Sequence, residues 1–123
     1  MQPEGTLPLN PDPVVLASVR SVRGHTIRLT YHQWVHIAES HDYMSGNREK
    51  VLETVADPNK LVAGDLGATI ALRHYAATNI SEKTCVVIYR DEENGFIITS
   101  FLTSRPDKTI RRGATLWQRP PST

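Results

Sequence analysis

The feature that most narrows the possible folds is a pair of apolar runs joined by a tight polar turn. Thr84 to Arg90 (TCVVIYR) and Phe96 to Leu102 (FIITSFL) flank Asp91 to Gly95 (DEENG). Asn-Gly adopts the left-handed turn conformation at little cost, so the two runs read as neighbouring antiparallel strands. The first is the most apolar and is expected at the centre of a sheet. Strict alternation in the second puts Ile97, Thr99, Phe101 and Thr103 on one face. A third run, Ala68 to Tyr75, also alternates. Ala68, Ile70, Leu72 and His74 take one face; Thr69, Ala71, Arg73 and Tyr75 take the other. Lys60 to Ala63 is a short strand before it, set off by the turn Asp65-Leu66-Gly67.

The first half of the chain differs. Valine-rich Val14 to Val22 and Ile27 to Leu29 flank Arg23-Gly24, which reads as a hairpin. Thr30 followed by Gln33 is a capping box. It opens a helix to about His41, with Trp34, Ile37 and Ala38 on its apolar side. His41 to Gly46 breaks that helix. A second helix runs from about Asn47 to Ala56, with Val51, Leu52 and Val55 as its buried stripe. Asp57-Pro58 ends it, because proline restricts the residue before it. The order is β-β-α-α-β-β-β-β. Helices that precede hairpin-linked strands imply an α+β fold. The expectation is an N-terminal hairpin and two helices packed on one antiparallel sheet of about four strands.

The chain has 123 residues, a one-domain length. Proline crowds both ends, at Pro3, Pro8, Pro11, Pro13, Pro120 and Pro121. Residues 1–13 and 119–123 therefore read as flexible tails around a domain at 14–118. The formal charge is +1, which excludes a bulk polycation and an acidic solvating chain. The acidic start masks a charge of +3 on the rest of the chain, residues 14–123, and Arg105 to Arg119 alone carries +4. A single cysteine, Cys85, excludes an internal disulfide and a multi-cysteine zinc site. Cys85 reads as a buried inert thiol. No run approaches the roughly 20 apolar residues of a membrane helix, and the start lacks a signal-peptide pattern. The expectation is a soluble, cytoplasmic protein without a cofactor.

Three histidines lie on or beside the first helix. His32 and His36, four apart, share a face, while His41 is about 140° further round. On a surface helix such residues are ordinarily solvated, an arginine on a half-buried strand ordinarily faces water, and a threonine there is a good β-former. His32 and His36 also have the spacing of two zinc ligands on one turn. Gln33 stands where the metalloprotease motif has its glutamate, and spacing places no third ligand. A third possibility is metal-free RNA cleavage. That reaction takes a proton from the 2′-hydroxyl, gives one to the departing 5′-oxygen and builds charge on the phosphate. Histidine suits the proton steps, arginine suits the phosphate, and a threonine hydroxyl can orient it.

Trp34-Val35-His36-Ile37-Ala38-Glu39-Ser40-His41, followed by Met44, resembles the W-x-H-I-x-x-x-H…M opening of small bacterial and phage proteins. Those proteins belong to the barnase–EndoU–colicin–RelE-like ribonuclease superfamily. Val51 to Pro58, Leu72-Arg73-His74-Tyr75, Val86 to Tyr89 and Ile97 to Leu102 are similar to its later pieces in order, so the likeness spans roughly Val19 to Trp117. It implies two helices before a four-stranded antiparallel sheet and cleavage of RNA without metal. Many members are toxins, RelE-type and BrnT-type among them, paired with an antitoxin protein. Mapped by position, it makes His36 the first catalytic candidate, then Arg73 and Thr99. His41 is either catalytic or holds the loop. Tyr75 would stack on a base, and Arg111 and Arg112 would hold phosphate. Trp117 anchors the tail to the core. The alternative is a non-catalytic RNA- or protein-binding module on the same fold. That alternative is favoured if His36, Arg73 and Thr99 fail to meet on one open surface.

Overall fold

The computed structural model describes residues 13–110 and 113–121. The chain forms β1 (Val15–Arg20), β2 (Thr26–Thr30), α1 (Tyr31–Ser40), α2 (Arg48–Ala56), β3 (Lys60–Ala63), β4 (Thr69–Tyr75), β5 (Lys83–Tyr89), β6 (Gly95–Thr103), α3 (Pro106–Ile110) and β7 (Thr115–Gln118). A short 3-10 turn over Asp42–Gly46, with Met44 buried, joins α1 to α2.

Local chemistry explains the boundaries. Thr30 is extended, and its hydroxyl accepts from the Gln33 backbone N–H at 3.2 Å, which caps α1. The Gln33 side chain does not fold back to complete the box; it donates to the Ile98 carbonyl. α2 stops at Asp57, before Pro58. Asn94 has φ 57°, as the Asn-Gly turn requires.

Among the described residues the sheet has seven strands in the order β1-β2-β6-β5-β4-β3-β7. It replaces the four-stranded antiparallel sheet expected from the sequence, although the α+β class holds. β2 pairs with β6 in parallel, Ile27 opposite Gly95 and Arg28 opposite Phe96. This pairing draws the N-terminal hairpin into the sheet instead of leaving it packed on a face. β7 pairs with β3 and extends the other edge. A strand's own apolar pattern does not say which distant strand it joins, and β7 is only four residues long.

α1 and α2 cover one side of the sheet. There Ile27, Ile37, Val51, Val55, Val87 and Ile97 are buried together. Each such side chain stabilises the fold by about 1.5–3 kcal/mol relative to exposure, and Val51 and Val55 are the apolar residues of α2 that are fully buried. On the other side, Val62, Ile70, Leu72 and Val86 form a smaller cluster, with Ile88, Phe101 and Ile110 against it. Trp117 packs on the helix-side core from β7.

β4 alternates as its sequence suggests, but β6 does not. Tyr89 lies opposite Ile97 and Ile88 opposite Thr99, so Ile98 is an extra residue. Such a bulge shifts the pleat by one. Ile97 joins the helix-side core, while Phe101 joins the opposite cluster and Thr99 pairs with Ile88 of that cluster. Ile97 and Thr99 therefore do not share a face.

Candidate functional site

β6 loses its strand neighbour after Phe96, because β2 ends at Thr30 and the chain turns directly into α1. From Ile98 onward the outer edge of β6 therefore faces a helix. Unpaired strand edges need cover, and here side chains provide it. Gln33 Nε2 donates to the Ile98 carbonyl. The Tyr43 hydroxyl donates to the Leu102 carbonyl and accepts from the Leu102 N–H, each at 3.3 Å. α1 is thereby fastened to the strand through Gln33 near its start, and the turn that follows it through Tyr43.

Gln33, His36 and Ser40 recur at i, i+3 and i+7, so His36 shares the flank of α1 that runs beside β6. His36 is exposed, and none of its described neighbours bonds to it. Thr99, half-buried, follows the residue whose carbonyl Gln33 holds. His41 is half-buried, with its ring centroid 5.6 Å from that of Tyr43 and 5.7 Å from that of Phe101. That packing fixes the end of α1. The seam between α1 and β6 thus holds His41 against Tyr43 and Phe101, with His36 exposed on the adjoining flank of α1, while Thr99 pairs with Ile88 on the sheet face turned away from the helices.

Arg73 and Tyr75 lie elsewhere, on β4, two strands away and facing α2. Arg73 Nη1 donates to the Asp57 carbonyl at 2.6 Å and to Asp57 Oδ2 at 3.1 Å, and Nε lies 3.4 Å from Glu53 Oε1. The guanidinium is occupied by two carboxylates and the end of α2. The Tyr75 hydroxyl donates to Glu53, and its ring carries Lys50 at 5.5 Å and Arg73 at 5.4 Å. Burial and the bond to Glu53 push its phenol up. Neither residue faces an open surface beside His36. The three residues His36, Arg73 and Thr99 do not meet. Arg119, assigned by sequence to a loose tail, is tied instead: its Nη2 donates to the Asp57 and Pro58 carbonyls at 3.0 and 3.1 Å.

On the side of the sheet away from α1 and α2 lies a groove of about 990 Å³. Its floor includes Ala68, Ile70, Ile88 and Ile98, and its rim carries Arg90 and Lys108. Arg111 and Arg112, expected to hold phosphate, lie outside the described residues.

One polar cluster escaped the sequence reading. Asp91 has a side chain only 1% exposed. Its Oδ1 accepts from Ser21 Oγ at 2.7 Å and sits 2.9 Å from His25 Nδ1. Its partners are 70 and 66 residues away, so no local spacing announces them.

His32 and His36 are both exposed, and no group of three or more metal-binding side chains occurs among the described residues. No described helix is long and apolar enough to cross a membrane. No protein-family model, curated protein or solved structure matches the chain.

Proposed function

We propose that this protein acts on RNA at the α1–β6 seam, cleaving it by histidine acid–base chemistry without a metal, as the toxin of a toxin–antitoxin pair does. The observation that carries the reading is the fastening of α1 along β6, which sets the His36 flank beside the Thr99 strand. The resemblance of the Trp34 to His41 segment to RelE-like ribonucleases supports it. His36 takes the proton from the 2′-hydroxyl or supplies one to the departing 5′-oxygen. A phosphate-orienting role for Thr99 rests on the resemblance alone, since its strand position faces away from α1, and His41 holds the end of α1. Arg73 has no part in this reduced set.

A second reading is a non-catalytic RNA- or protein-binding module. The occupation of Arg73 by Asp57 and Glu53 favours it, since the full set of three residues does not converge. One experiment separates the two. Wild-type and His36→Ala proteins are expressed in bacteria, with growth and RNA integrity followed together. Growth arrest with fragmented RNA, lost in His36→Ala, supports cleavage. Intact RNA and equal growth of both strains would remove it and leave the binding module.

A further inference from the structure

We propose that Asp91 is a positioning residue for the α1–β6 seam: its buried carboxylate latches the β1–β2 hairpin to the β5–β6 turn and so sets where α1 lies. The latch is argued from structure alone, but its functional meaning rests on the RNA-directed reading of that seam.

The hairpin has little backbone attachment to the rest of the sheet. β2 meets β6 over only two residue pairs, Ile27 with Gly95 and Arg28 with Phe96. Side chains supply the remainder. Ile27 and Leu29 are buried in the core. Arg28 Nη2 donates to the Asn94 carbonyl at 3.0 Å. Asp91 then gathers the tip of the hairpin: Ser21 and His25 bond to Oδ1, and Arg23 Nε lies 3.8 Å from Oδ2.

This cluster is costly in a way that points to placement. Among the described residues, Asp91 Oδ2 and the Tyr89 hydroxyl two residues earlier are buried with no hydrogen-bond partner. A buried carboxylate that is only partly satisfied stabilises less than apolar packing of the same volume. What it provides is direction, since Ser21 and His25 satisfy it from one position of the hairpin only. That position passes straight to the helix. Thr30 is both the last residue of β2 and the N-cap of α1, with no loop between them. A shift of the hairpin therefore moves α1, and with it the His36 flank, along β6.

Amide hydrogen exchange on the full chain tests the latch without RNA, so its outcome is independent of whether the protein cleaves anything. Wild type is compared with Asp91→Ala, His25→Ala and His25→Asn; the last keeps a donor near the Nδ1 position. In Asp91→Ala and His25→Ala, exchange in β2 and α1 is expected to rise at least about tenfold, and in β4 and β5 less than about twofold. His25→Asn is expected to restore most of the protection. If Asp91→Ala does not fold, the two His25 variants carry the test. Faster exchange confined to the hairpin with α1 unchanged, or His25→Asn no better than His25→Ala, would overturn the proposal.

Discussion

Arg73 and Asp57 are joined twice, through the carbonyl that ends α2 at 2.6 Å and through the carboxylate at 3.1 Å. The last carbonyls of a helix lack partners within it, and a cation there also meets the negative end of the helix dipole. Arg73 is therefore a clamp on α2. Arg73→Ala is expected to lower stability by about 1–2 kcal/mol, the smaller end reflecting the exposure of Asp57. Lysine at 73 recovers only part, lacking the planar fork. Urea midpoints measure both. If the proposed RNA cleavage is present, it is expected to stay unchanged per folded molecule, opposite to what a phosphate-holding role demands.

His36 is exposed and makes no described bond, so its loss leaves the fold alone. His36→Ala is expected to change stability by less than about 0.5 kcal/mol and to reduce RNA cleavage by about 10²-fold or more. Thr99→Val is the companion variant. Thermal melts paired with a fragment assay read both effects, and unaltered cleavage by His36→Ala would take that residue out of the chemistry.

Tyr43 uses one hydroxyl to satisfy both backbone groups of Leu102 at the edge of β6. Tyr43→Phe keeps the ring and removes both bonds. The expected loss is about 1 kcal/mol, with faster exchange of the Leu102 amide as its local sign. An unchanged Leu102 amide would show that the hydroxyl contributes no cover there.

Gly95 begins β6 opposite Ile27. A Cβ at this position would strike the Arg90 carbonyl and come within 2.8 Å of Ile27 Cδ1 and 2.9 Å of the Glu92 carbonyl. Backbone atoms cannot yield as a flexible side chain does. Gly95→Ala is expected to cost about 2–4 kcal/mol, detectable as a marked fall in melting temperature.

Cys85 sits in the core of β5, and burial pushes its thiol up. The native thiol therefore stays protonated and inert, and a disulfide reagent is expected to label it only in denaturant. Burial also raises the phenols of Tyr75 and Tyr89. All three groups ionise more readily in the unfolded chain. The stability tied to them is complete below the unfolded thiol value of about 8.5 and declines as pH rises through it and the phenol value of about 10. Denaturation curves from pH 7 to 11 track the decline, and Cys85→Ala flattens its first part.

The parts of the fold legible in sequence are those decided between near neighbours. Thr30 caps the helix after it, Asp57-Pro58 ends the helix before it, and Asn94-Gly95 turns one strand onto the next. The parallel β2–β6 pairing, the addition of β7 and the bulge at Ile98 depend on partners far along the chain. A single inserted residue was enough to separate Ile97 from Thr99. The same division runs through the candidate site. Its helix and histidines are visible in the spacing of Trp34, His36 and His41. The occupation of Arg73 and the burial of Asp91 are not, because carboxylate and partner come from different elements.

The parallel pair also orders events in time. The β1–β2 hairpin precedes its partners in the chain, yet among the described residues its strand neighbour outside the hairpin is β6, and Ser21 must wait for Asp91, 70 residues later. Closing so long a loop costs entropy before any contact repays it, and folds rich in such pairings form on the millisecond-to-second scale. During synthesis β2 has an open edge until Gly95 has left the ribosome, which leaves the N-terminal hairpin exposed to mispairing with another nascent chain.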